Sequence, residues 1–78
     1  PQHSRVSTGA LRALYGLTPS EARVASEVVA AGSIAELARR LALSKNTVKT
    51  HLQRTFRKCE VTTLAQLTAL IATGPREQ

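Results

Sequence analysis

Apolar residues recur along this chain in helix-period stripes separated by short segments of Ser, Thr, Gly and Pro, and no stretch alternates as a strand does. Leu11, Leu14 and Tyr15 have the i, i+3, i+4 spacing of a short helix ended by Gly16. Thr18-Pro19-Ser20-Glu21 reads as a helix start, with Thr18 as cap, Pro19 at the first helical position and Glu21 placed for a capping box. Val24, Ala25, Val28 and Val29 form the apolar stripe of that helix, about 19–31, and Gly32 ends it. Ser33, with Glu36 three residues on, opens a helix of two turns whose Leu37, Ala38 and Leu41 face inward.

Ala42-Leu43-Ser44 is a tight turn in which Leu43 is expected to plug the corner and Ser44 to cap the next helix, about 45–58. Val48, Leu52, Thr55, Phe56 and Cys59 then recur at i, i+4, i+7, i+8 and i+11, one buried stripe with a polar and basic set on the other side. Thr62 or Thr63 starts a last helix, with Thr63 and Gln66 as a capping box and an end near Gly74-Pro75. Residues 64–72 are apolar or small almost all round, which predicts a second helix packed on the outer face, as in a dimer through Leu64, Thr68 and Ile71. The alternative is cover from neighbouring segments of the same chain. The expected fold is all-α: a small four-helix helix-turn-helix domain with an extra short N-terminal helix. Its expected parts are a linker or tail over 1–8, a leading helix over 9–16, the domain over 17–73 with its motif at about 34–53, and a tail over 74–78.

At 78 residues the chain holds at most one domain, and 42% hydrophobic content is enough for a small helical core. Aromatics are limited to Tyr15 and Phe56, which argues against recognition of nucleic acid by base stacking. The formal net charge is +6, and its placement matters more than its size. Arg39, Arg40, Lys45, Lys49, Arg54, Arg57 and Lys58 fall within a quarter of the chain that has no Asp or Glu. Cys59 is the only cysteine, so neither an internal disulfide nor a Cys-pair metal site is expected. With only His3 and His51 besides, no metal and no other cofactor is expected. No apolar run is long enough to span a membrane, no signal-peptide pattern is present, and the cysteine usage fits a reducing cytosol. The chain has no Met, even at position 1, so it is expected to come from a longer protein whose missing part carries regulation.

A short helix, a tight turn and a polar-basic helix suit the major groove of B-DNA, which is about 12 Å wide and admits one α-helix. Lys49, Thr50 and Gln53 cluster on the face away from Val48 and Leu52, and Asn46, one turn before Thr50, is placed either to read a base with them or simply to occupy the exposed first turn. Lys donates to guanine, Gln pairs with adenine, and the Thr methyl meets a thymine methyl. Ser44, Lys45, Thr47, Arg54 and Arg57 are placed to grip phosphates, which sets register without reading sequence. The plain alternative for each basic residue is an ordinary solvated charge. His51, at the margin of the buried stripe, reads as a packed side chain, and Cys59 as a small apolar one.

Residues 17–70 resemble the LuxR-type (GerE-type) helix-turn-helix domain of bacterial transcription regulators. The resemblance rests on LTPSEARV, ELARRLALSKNTVKTHL and FRKCEVTTLAQL, with TVKTHL after a capped turn as its most specific part. It implies a four-helix domain at the C-terminus of a regulator, bound to DNA as a homodimer. It also implies that the third helix reads bases through positions matching Lys49, Thr50 and Gln53, and that the last helix makes the dimer contact. An N-terminal sensor or phospho-receiver domain commonly controls such a domain. The sequence departs from the family at Ala31, Ala42 and Glu60, where Gly is usual, and at Leu64, where Arg is usual. A left-handed backbone at Ala42 is expected to cost ~1 kcal/mol relative to Gly.

No paired carboxylates, nucleophile-base set or phosphate-cradling Gly loop is present, so an enzyme is not expected. The expected function is sequence-specific binding of double-stranded DNA, with RNA polymerase as a further partner and no membrane. Two rivals share the helix pattern: a promoter-reading sigma-factor-like domain, and a helical protein-interaction module without DNA binding. The apolar last helix favours a dimer over the first, and the basic residues gathered on one face argue against the second.

Overall fold

The structure, a computed structural model, describes residues 7–73. Most of the expected linker over 1–8, with His3, the tail over 74–78 and the helix end at Gly74-Pro75 lie outside the described residues. Among the described residues there are five helices and no strand: α1 (Thr8–Tyr15), α2 (Pro19–Ala31), α3 (Ile34–Leu41), α4 (Lys45–Cys59) and α5 (Leu64–Thr73).

Each helix begins where a side chain satisfies backbone N–H groups that the helix itself leaves unpaired. Ser7 Oγ accepts from the Ala10 N–H at 3.2 Å, so α1 begins at Thr8, one residue before the expected start at 9. At α2 both halves of the capping box form: Glu21 N–H donates to Thr18 Oγ1 at 3.2 Å, and Thr18 N–H to Glu21 Oε1 at 3.0 Å. Ser33 and Ser44 cap α3 and α4 by accepting from Glu36 and Thr47 N–H, each at 3.1 Å. At α5, Thr63 Oγ1 accepts from Gln66 N–H at 3.1 Å, but Gln66 Oε1 turns to Thr62 N–H at 2.7 Å rather than to Thr63. Each such cap contributes ~1 kcal/mol.

The four inter-helix ends are left-handed. Gly16 and Gly32 take φ of 69° and 75°, a region glycine enters without a steric penalty. Ala42 and Glu60 take φ of 57° and 59° without being glycine. The backbone compensates with paired bonds at both places. Ala42 N–H donates to Arg39 O at 3.3 Å and Leu43 N–H to Ala38 O at 3.0 Å. Glu60 N–H donates to Arg57 O at 3.3 Å and Val61 N–H to Phe56 O at 2.9 Å. These bonds satisfy the last carbonyls of α3 and α4, and half-buried Leu43 and Val61 close the ends with apolar surface.

α2 is the hub and packs against each of the other four helices. Its inward face is Glu21, Ala22, Val24, Ala25 and Val28, which meet a core of Leu11, Leu37, Leu41, Val48, Leu52, Leu67 and Ile71. Val29, expected in that stripe, is 48% exposed, because it lies about 100° around the helix from Val28. Glu21 takes an inward place instead and is 2% exposed. On α4, Val48, Leu52, Thr55 and Cys59 are buried and Phe56 is half-buried, which fixes the rotation of that helix. α5 presents Leu67 and Ile71 to the core at i, i+4 spacing. Ile71 is fully buried within its own chain, so its expected place in a dimer contact is corrected: packing against α2 already uses it.

Candidate nucleic-acid interface

The buried stripe of α4 turns the opposite side of the helix outward. Asn46, Lys49, Thr50 and Gln53, the expected base readers, are all exposed. So are Ser44, Lys45, Thr47, Arg54 and Arg57, the expected phosphate contacts. Lys49 and Gln53 border a groove of about 300 Å³ floored by Ile34, Leu52, Phe56 and Leu64.

Hydrogen bonds sort these residues further. Thr50 Oγ1 donates to Asn46 O at 3.1 Å. Its hydroxyl proton is therefore held by the helix, and a methyl group and an acceptor lone pair remain for an outside partner. Ser44 Oγ accepts from Thr47 N–H and donates to Thr47 Oγ1 at 2.9 Å. The Ser44 hydroxyl thus caps α4 while standing exposed at its N-terminus. The Thr47 hydroxyl, as acceptor from Ser44, keeps its own proton free to donate.

Glu21, Glu27 and Glu36 are engaged in ion pairs among the described residues, and Glu60 stands exposed at the C-terminal end of α4 in none of them. Among the described residues the ion pairs join Arg39 and Arg40 to Glu36, Arg40 to Glu27, and Lys58 to Glu21. Lys45, Lys49, Arg54 and Arg57 take part in none of them, so four cations on exposed α4 have no internal partner among the described residues. Hydrogen bonding from Arg39 chiefly, against a smaller effect of desolvation, holds the Glu36 carboxyl below the ordinary carboxylate range. The same pairing raises Arg39 above the ordinary guanidinium value. Arg39 and Arg40 thus serve α3 and its junction with α2.

Lys58 belongs to the basic block by sequence but not by position. Its Nζ donates to Glu21 Oε1 at 2.7 Å and to Gly16 O at 3.2 Å, tying the C-terminal turn of α4 to the start of α2. Burial pushes the Glu21 carboxyl up, but the Lys58 ammonium and the Thr18 N–H outweigh it and leave the group below its ordinary value. Sequence reasoning assigned Glu21 to capping alone, because nothing in the local pattern signals a partner so distant along the chain. Burial, with the negative charge of Glu21 as a lesser cause, pushes the Cys59 thiol up, which fits a packed rather than a reactive cysteine.

On α5, Leu64 and Thr68 are half-buried, and Ala65, Gln66 and Ala69 are exposed. No group of side chains suited to holding a metal ion occurs among the described residues. No helix among them is long and apolar enough to cross a membrane.

A tight turn between two capped helices, the second bearing unpaired cations on its outer face, defines a helix-turn-helix domain. Residues 16–71 match the GerE family, bacterial regulatory proteins of the luxR family, and the chain belongs to that family of DNA-binding transcription regulators. No curated protein and no solved structure matches the chain.

Proposed function

We propose that this chain is the sequence-specific DNA-reading domain of a bacterial transcription regulator, with α4 in the major groove. The observation that carries this reading is the division of charge: Glu21, Glu27 and Glu36 pair with Lys58, Arg39 and Arg40, while Lys45, Lys49, Arg54 and Arg57 stay free on α4. Lys49 donates to guanine O6 or N7 and Gln53 pairs with the adenine edge. Thr50 offers its methyl to thymine, and Asn46 reads or abuts a base beside it. Ser44, Lys45, Thr47, Arg54 and Arg57 hold phosphates, and Ser44 also orders Thr47 for that task.

Two copies bind two half-sites through the outer face of α5, with Leu64 and Thr68 at the contact. The near absence of charge on that helix supports this assembly. RNA polymerase is the natural further partner of such a regulator, in the bacterial cytoplasm at the nucleoid.

Selection of bound duplexes from a random pool tests the reading. Recovery of a palindromic site is the expected result. Lys49→Ala or Gln53→Ala should then cost ~1–3 kcal/mol and relax one base position, whereas Arg57→Ala should weaken all sequences alike. A preference altered by Arg57→Ala and untouched by Lys49→Ala would show that the faces of α4 are assigned wrongly.

A further inference from the structure

The flank of α4 that faces away from Lys49 carries a second polar feature. A crevice of about 90 Å³ opens between α2, the turn and α4, lined by Ser20, Arg23, Val24, Leu41, Leu43 and His51. His51 Nδ1 is buried without a hydrogen-bond partner, alone in this among the side-chain atoms of the described residues. Leaving a buried polar atom unpaired costs ~1–3 kcal/mol, so such an atom calls for a partner from outside. Arg23 is exposed and enters no ion pair among the described residues. Its neighbour on the same helix, Glu27, is already engaged by Arg40. On α4, Thr47 and Arg54 lie four before and three after His51, on the same flank of the helix.

We infer that the Ser20–Arg23–His51 crevice is a phosphate-binding subsite that extends the nucleic-acid interface from α4 onto α2. The inference rests on the DNA-binding function proposed above. The guanidinium fork of Arg23 presents paired donors to two oxygens of one phosphate, and the exposed Ser20 hydroxyl adds a third donor. A water bridging His51 Nδ1 and a phosphate oxygen gives the buried atom its missing partner, and the crevice has room for it. A backbone strand held by Thr47 and Arg54 continues across this mouth, so the subsite adds grip and register without reading a base. Its donors Ser20 and Arg23 lie outside the helix-turn-helix segment, which is why the pattern of residues 34–53 alone does not reveal it.

The test uses this chain, a duplex selected as above, and Arg23→Ala, Arg23→Lys and Arg12→Ala variants. Arg12 is a free, exposed cation that does not line the crevice, so its variant reports the effect of net charge alone. Single neutral methylphosphonate replacements are placed along each strand. Arg23→Ala should weaken specific and non-specific duplexes alike by about fivefold and reduce the salt slope by about one. Its thermal midpoint should match the wild type, and Arg23→Lys should recover part of the loss. One methylphosphonate position that weakens the wild type should leave Arg23→Ala unaffected. Wild-type affinity in Arg23→Ala, a loss no greater than that of Arg12→Ala, or a methylphosphonate profile unchanged by Arg23→Ala would each overturn the subsite while leaving the DNA-binding function standing. Failure of the wild type to bind any duplex would overturn both, and shows itself before any variant is measured.

Discussion

Ala42→Gly should stabilise this protein, although it removes a methyl group from the turn that defines the motif. Ala42 sits at φ 57°, ψ 44°, in the left-handed region where an L-residue with a Cβ is penalised by ~1–2 kcal/mol. Glycine removes that penalty but adds freedom to the unfolded chain, which offsets ~0.4–1 kcal/mol of the gain. Ala42 is exposed, so deletion of its methyl leaves no cavity, and the two closing bonds through Ala42 and Leu43 N–H need no side chain. The net expectation is a gain of about 0.5–1 kcal/mol, or about 3–6 °C in thermal midpoint for a domain of this size. Gly32→Ala supplies the mirror image. Gly32 has the same left-handed φ, and a Cβ there meets no atom within 4 Å, so its loss should be conformational and of similar size. Urea and thermal unfolding of the two variants beside the wild type measure both. A destabilised Ala42→Gly, or a Gly32→Ala as stable as the wild type, would refute the reasoning that backbone strain at these ends is stored and unrelieved.

Three further outcomes are expected. Lys58→Ala strands a 2%-exposed carboxylate and should destabilise by ~2–3 kcal/mol in chemical unfolding, below the full cost of breaking a buried pair because the Lys58 side chain is 35% exposed. Glu21 and Glu36 are both held below their ordinary values, so their stabilisation is complete above the unfolded carboxylate value and fades as pH falls through the lower folded values; unfolding free energy should decline below about pH 4, and a flat profile there would count against these pairs. Thr68→Arg should abolish assembly of two copies on a palindromic duplex while leaving the monomer folded, by sedimentation, whereas Ile71→Ala should act through the core and destabilise by ~2–5 kcal/mol.

What the sequence made legible was local. Ser33, Ser44 and the Thr18–Glu21 pair announce their helix starts through side chains that bond three residues away, and the rotation of α4 follows from the spacing of Val48, Leu52, Thr55 and Cys59 alone. The unusual left-handed ends at Ala42 and Glu60 were visible only as missing glycines. What stayed hidden depends on how the helices are set against one another. Glu21 and Lys58 come together through the packing of α2 on α4, so a capping carboxylate also proves to be a buried anion. Ile71 looked available because α5 is apolar all round, and only its docking on α2 decides which side is already covered. The sequence already left Arg39, Arg40 and Lys58 out of the expected DNA contacts, but the glutamate partners of Arg40 and Lys58 on α2 come to light only once the helices are packed.

The dependence of duplex affinity on salt tests most directly whether those free cations meet DNA. The phosphate contacts of Lys45, Arg54 and Arg57, with Arg23 as a fourth, should give a log–log slope of about −3 to −4 per protomer. That corresponds to a loss of about a hundredfold between 50 and 200 mM salt. Affinity that stays level across that range would contradict the assignment of α4 as a DNA-binding helix.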